Sequence, residues 1–125
     1  MNPRVLVIDD HALSLELMVE LITLEGWQPH SATSAEEGLR LAESAKPDLM
    51  LTDLQLPGMT GYEAMRRLKA NPATAAIPVV AVTAFAMRGD EAKAREAGAD
   101  GYLTKPITPA RLREALQPFL GHGGA

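Results

Sequence analysis

Residues 5–10 read Val-Leu-Val-Ile-Asp-Asp, four branched apolar residues followed at once by two carboxylates. A half-buried strand would alternate apolar with polar; a short unbroken apolar run predicts a strand covered on both faces. Residues 49–51 (Leu-Met-Leu) and 79–82 (Val-Val-Ala-Val) repeat the pattern, and 101–103 (Gly-Tyr-Leu) is a weaker copy. Gln28–Ala32, interrupted by Pro29 and two polar residues, predicts an edge strand, because proline cannot donate to a central ladder.

Helical punctuation fills the intervals. Leu13, Leu17, Leu21 and Leu24 follow the spacing of one apolar helix face, and Gly26 offers a left-handed stop. Ser34 with Glu37, and Thr60 with Glu63, read as capping boxes. Thr108 before Pro109 reads as an N-cap with proline at the first helical position, opening a last helix through Leu112, Leu116 and Leu120. Residues 87–97 are Ala-rich, with Gly89 near the start and Gly98 at the end, which predicts the least firmly anchored helix. Strand and helix alternate five times. That predicts an α/β fold, a five-stranded parallel sheet doubly wound by five helices on its two faces.

The chain has 125 residues, enough for one core and too few for two full domains. Hydrophobic residues are 46% and charged residues 22%, as in a folded domain rather than a disordered one. Twelve Lys and Arg against 16 Asp and Glu give a net charge of −4, which argues against nucleic acid or an anionic membrane as partner. Cysteine is absent, so disulfides, thiol catalysis and Cys-ligated zinc are excluded. No apolar run reaches signal-peptide or membrane-spanning length, and a cytoplasmic location is expected. The expected organisation is one domain over residues 1–121 and a flexible tail at 122–125.

In sheets of this kind ligands bind beyond the carboxyl ends of the strands. Asp9 and Asp10 follow the first strand, Asp53 the third, Thr83 the fourth, and Lys105 with Pro106 the fifth. Singly, each is as well explained as a turn, a cap or a solvated loop residue. Jointly they place three carboxylates, a hydroxyl and an ammonium on one edge. Three carboxylates so close need a raised pKa or a divalent cation, and all-oxygen ligation suits Mg²⁺, with Mn²⁺ as an alternative. A cation, an ammonium and a hydroxyl around a carboxylate would stabilise a transferring phosphoryl group, with the carboxylate itself as nucleophile.

The segments VLVIDD, LTDLQLPGMTG around Asp53, VVAVTAFAM around Thr83 and GYLTKPI around Lys105 together resemble the receiver domain of two-component response regulators. The intervals fit too: 43 residues from Asp10 to Asp53, 30 on to Thr83 and 22 on to Lys105. The resemblance implies a flavodoxin-like sheet of order 2-1-3-4-5. It implies Asp53 as phosphoacceptor, with Asp10, Asp53 and the Gln55 backbone carbonyl on Mg²⁺ and Asp9 acting through a water. Lys105 would pair with phosphoryl oxygens beside a cis bond to Pro106, Thr83 would bond the arriving group, and Tyr102 would be the aromatic switch. Gln55 and Phe85, two residues beyond Asp53 and Thr83, flank the path of the hydrolytic water; a bulky Phe85 is expected to lengthen the phosphorylated lifetime.

By the same resemblance, the donor is a histidine kinase or a histidine phosphotransfer protein. The target is a protein met by the fourth helix, fifth strand and fifth helix, and the chain is a monomer or weak dimer. The chain is most similar to stand-alone receivers of the cell-division type. Alternatives are a receiver excised from a hybrid histidine kinase or longer regulator, a module that is never phosphorylated, and a Mg²⁺-dependent aspartyl-phosphate hydrolase. The last needs an acid or base two residues after the nucleophile, where this chain has Gln55. A phosphoacceptor switch that assists its own phosphorylation and dephosphorylation, not an enzyme with a separate product, is the expectation.

The histidines form no ligand set: His11 reads as a solvated helix-start residue that can brush the site, and His30 and His122 as surface residues. Trp27 reads as a packing cap, and Met59, Met65 and Met87 as packing residues. Neither G-x-x-x-x-G-K-[ST] nor G-x-G-x-x-G occurs, so nucleotide binding has no support.

Overall fold

A computed structural model describes residues 2–84 and 88–120. The elements alternate as β1 (Arg4–Ile8), α1 (Ala12–Leu24), β2 (Gln28–Ala32), α2 (Ala35–Ala45), β3 (Leu49–Asp53), α3 (Gly61–Ala70), β4 (Val79–Thr83), α4 (Asp90–Glu96), β5 (Gly101–Thr104) and α5 (Pro109–Leu120). All strand pairs are parallel, and the sheet order is β2-β1-β3-β4-β5. β2, with its proline, is an edge strand as expected.

Alternate residues of each central strand feed two separate cores. Leu6, Ile8, Met50, Val79 and Ala81 face Met65 and Leu68 of α3 and the small residues of α2 and α4. Val5, Val7, Leu49, Leu51, Val80 and Val82 face Met18, Leu21 and Ile22 of α1 and Leu112 and Leu116 of α5. Each fully buried leucine or valine contributes roughly 1.5–3 kcal/mol relative to exposure, so the β1-β3-β4 centre anchors the fold. Trp27 is buried in this second core, and Met65 lies in the first with Met59 packed against it.

Several local expectations need correction. Of the predicted α1 face only Leu21 is buried; Leu13, Leu17 and Leu24 are 82%, 51% and 77% exposed, and Met18 and Ile22 join Leu21 against the sheet. The Ser34 hydroxyl accepts from the Glu37 N–H, but the Glu37 carboxylate accepts from the Thr33 N–H rather than that of Ser34. Thr60 caps α3 in the same way, while Glu63 is spent on Arg67. α4 begins at Asp90, behind Gly89 in the left-handed region at φ 89°, and buries only Ala94 within its span. That small footprint agrees with weak anchoring. His30 is half-buried, not a surface residue, with an Nε2 that has no hydrogen-bond partner. Phe85, Met87, His122 and the tail at 122–125 lie outside the described residues.

Gly61 sets α3 against the end of β3. A Cβ there would strike the Asp53 carbonyl oxygen and lie 2.7 Å from the Leu54 Cα, both backbone atoms that cannot swing aside. Gly61→Ala is therefore expected to destabilise the fold by about 2 kcal/mol through overpacking. Urea unfolding checks this; a wild-type midpoint would contradict it.

Candidate active site

The β1, β3, β4 and β5 ends deliver Asp9 and Asp10, Asp53, Thr83 and Lys105 to one edge of the sheet. Register explains the convergence: Asp53 pairs with Val82, one residue before Thr83, and Thr83 pairs with Thr104, one residue before Lys105. The Lys105 N–H donates to the Thr83 carbonyl at 2.8 Å, which carries the ladder one residue further. The Lys105–Pro106 bond is cis.

Lys105 Nζ donates to Asp9 Oδ2 at 3.0 Å, Asp53 Oδ2 at 3.1 Å and the Ser14 hydroxyl at 2.8 Å. The side chains of Asp9 and Asp53 are 3% and 8% exposed, so these are charge pairs largely out of water. Asp53 is held on its other oxygen too, where Oδ1 accepts the Gln55 N–H at 2.9 Å. Asp9 Oδ1 accepts the His11 N–H at 2.9 Å. Thr83 is buried at 1% exposure.

Burial acts to raise the Asp9 pKa, but the Ser14 hydroxyl, the His11 N–H and the Lys105 ammonium together outweigh it and hold the carboxyl below the usual range. Burial likewise acts to lower the Lys105 pKa, and its bonds to Asp9 and Asp53 and their charges overcome this and raise it. Both groups are thus held in their charged forms.

Ser14 escaped the sequence reading. Its only signal is position, four residues after Asp10 in the first turn of α1, one helical turn from the acids. Ser14→Ala removes a partner from both Asp9 and Lys105 and should cost about 1 kcal/mol near neutral pH. Asp9 is lowered in the fold, so its stabilisation is present above the ordinary aspartate range and disappears as pH falls through the lowered value. The variant raises that value, so its acid unfolding, followed in chelator, should begin at higher pH than in wild type. Superimposed acid limbs would contradict this.

Asp10 has a different environment. Its buried Oδ1 accepts no hydrogen bond, although the His11 Nδ1 stands 3.3 Å away. One ligand atom from each of Asp9, Asp10, His11 and Asp53 lies within 4.8 Å of the others. An orphaned carboxylate oxygen beside two more carboxylates is a donor set that fits a hard divalent cation. Tyr102 turns its hydroxyl into the structure, buried and without a hydrogen-bond partner, and burial with the Asp90 charge raises its pKa. A half-buried tyrosine would ordinarily keep that hydroxyl in water.

A concavity of about 700 Å³ opens at the opposite end of the sheet between Pro3, Arg4, Lys46, Asp48 and Phe119. It gathers no set of reactive groups comparable to the acid cluster. Among the described residues no helix is long and apolar enough to cross a membrane.

Residues 5–117 match the family model of the response regulator receiver domain. Similar proteins include the polar-differentiation response regulator DivK of Brucella ovis, 40% identical over 121 residues, covering 97% of this chain and 98% of that protein. The receiver domain of a sensor histidine kinase from Pseudomonas aeruginosa PAO1, solved with a magnesium ion coordinated in its active-site cleft, superposes with a TM-score of 0.89 at 28% identity, covering 97% and 99% of the two chains. A CheY-like receiver domain protein from Methanospirillum hungatei JF-1 gives 0.87 at 29% identity, with 96% and 94% covered.

Proposed function

The chain belongs to the response regulator receiver family, and from that membership we propose that it is a stand-alone phosphorylation switch with Asp53 as its phosphoacceptor. The observation that carries this reading is the Lys105 ammonium shared between Asp53 at 3.1 Å and Asp9 at 3.0 Å. It supports the reading because a carboxylate that could attack phosphorus and a cation that could meet phosphoryl oxygens lie side by side.

A histidine kinase or phosphotransfer protein presents phosphohistidine. An Asp53 oxygen bonds to phosphorus, the P–N bond breaks, and its electron pair leaves with the imidazole. Asp10 and Asp53, with the Gln55 backbone carbonyl and with Asp9 through a water, are the residues to hold Mg²⁺, which when bound neutralises charge on the phosphoryl oxygens. Lys105 meets the same charge from the β5 side, and the Thr83 hydroxyl bonds the transferred group. Water attack on phosphorus later breaks the bond to the Asp53 oxygen, restores the carboxylate and releases inorganic phosphate, on a path beside Gln55.

Phosphorylation then biases a two-state equilibrium in which Thr83, Tyr102 and α4 move together. The orphaned Tyr102 hydroxyl and the single buried residue of α4 support a small free-energy cost for that shift. The α4-β5-α5 face is the surface for a target protein in the cytoplasm. Neither nucleic acid nor membrane is the partner, and the chain is a monomer or weak dimer. The 40% identity to DivK supports a DivK-like receiver as the first reading. The kinase-borne receiver from P. aeruginosa supports an excised receiver as second reading.

Incubation with phosphoramidate and Mg²⁺ should add one phosphoryl group, acid-stable and released by hydroxylamine, with none added in chelator. A chain that stays unmodified overturns the proposal. Steady turnover of phosphomonoesters would favour a hydrolase instead.

A further inference from the structure

His11 is the member of the acid cluster that the phosphorylation chemistry leaves without a task. Its Nδ1 lies 3.3 Å from Asp10 Oδ1 and 3.6 Å from Asp9 Oδ1. It also shares with Asp9, Asp10 and Asp53 the 4.8 Å neighbourhood in which each can offer one ligand atom. The imidazole is 73% exposed and forms no hydrogen bond with either carboxylate, so no packing or strong bond holds it away from a cation beside Asp10.

Nitrogen donors change which metal a site favours. Carboxylates and carbonyls suit Mg²⁺, whereas imidazole adds affinity for first-row transition ions and little for Mg²⁺. Resting on the reading of this edge as a divalent-cation site, we propose that His11 is a fourth protein ligand and tilts the site from Mg²⁺ toward borderline ions such as Co²⁺. Asp10 Oδ1, buried and without a hydrogen-bond partner, is left available to a cation beside the His11 ring. The His11 N–H keeps its bond to Asp9, so the backbone that presents the ring is already fixed.

The test uses MgCl₂ and CoCl₂ on the full chain, His11→Asn and Asp10→Asn. Asparagine is a favoured helix N-cap, so His11→Asn should fold. Calorimetric titration should show Co²⁺ binding weakened about tenfold in His11→Asn, the lower end of what a single metal-site partner is worth, with Mg²⁺ binding within about twofold of wild type. The Co²⁺-loaded wild type should show a hyperfine-shifted, exchangeable imidazole N–H proton resonance that is missing from His11→Asn. Asp10→Asn should weaken both ions. If Mg²⁺ binds through Asp10 but the Co²⁺ to Mg²⁺ ratio and the proton spectrum ignore His11, the inference fails and the cation site stands. If neither ion binds wild type, both fall.

Discussion

Asp53→Asn leaves the chain unable to take up phosphate, with label from phosphoramidate or a phosphohistidine donor reduced on the order of 100-fold or more. The amide is nearly the shape of the carboxylate, yet its nitrogen carries no lone pair free to attack phosphorus and its oxygen is a far weaker nucleophile. Its hydrogen bonds are also wrong. Asp53 accepts from Gln55 on Oδ1 and from Lys105 on Oδ2, and an asparagine side chain has one acceptor oxygen for those two donors. Intact protein mass before and after hydroxylamine checks the loss of the acyl phosphate, and circular dichroism checks that the fold persists. Equal labelling of both proteins would place the phosphoryl group elsewhere.

Lys105→Met has the second-largest effect and acts in two ways. In the proposed transfer the ammonium would stand where charge builds on the phosphoryl group, and loss of one such preorganised donor typically costs 10²–10³-fold in rate, so labelling should slow by roughly 100-fold. The substitution also strands Asp9 and Asp53, buried beside each other with their shared counter-charge removed. Breaking a buried pair from one side costs about 3 kcal/mol, measurable as a lower urea midpoint in chelator. Added Mg²⁺ should recover more stability in the variant than in wild type, because the ion then supplies the only cation among three carboxylates. A variant with wild-type stability in chelator would show that the ammonium contributes nothing to holding the acids.

The sheet was legible because each central strand is a solid apolar block, and because doubly wound sheets place chemistry at strand ends. Asp9, Asp10, Asp53, Thr83 and Lys105 could be listed from that rule together with the family resemblance. The face of α1 was not legible. Leu13, Leu17, Leu21 and Leu24 form one apolar stripe and Met18, Leu21 and Ile22 another that shares Leu21 with it, so periodicity marks a helix without choosing which stripe meets the sheet. Only docking against Val5, Val7, Leu49 and Leu51 decides it. Ser14 was obscured for another reason: a hydroxyl near a helix start has many local uses, and its tertiary partner Lys105 lies in a relationship no spacing encodes; His11, next to Asp10 in the chain, was legible as a neighbour of the acids. The half-burial of His30 depends likewise on what crosses β2, not on the strand's own polar pattern.

An ammonium has three N–H bonds, and those of Lys105 are matched one to one by Asp9, Ser14 and Asp53. Nothing is left over to greet a newcomer. Recognition by this lysine is consequently a substitution, in which an incoming oxygen gains only the margin by which it outbids the acceptor it dislodges. Stray anions such as sulfate, offering no better bond than a buried carboxylate, have little to win there. A phosphoryl group tethered to Asp53, as proposed above, would arrive at high local concentration and take over that residue's own place in the set, leaving the contacts to Asp9 and Ser14 undisturbed.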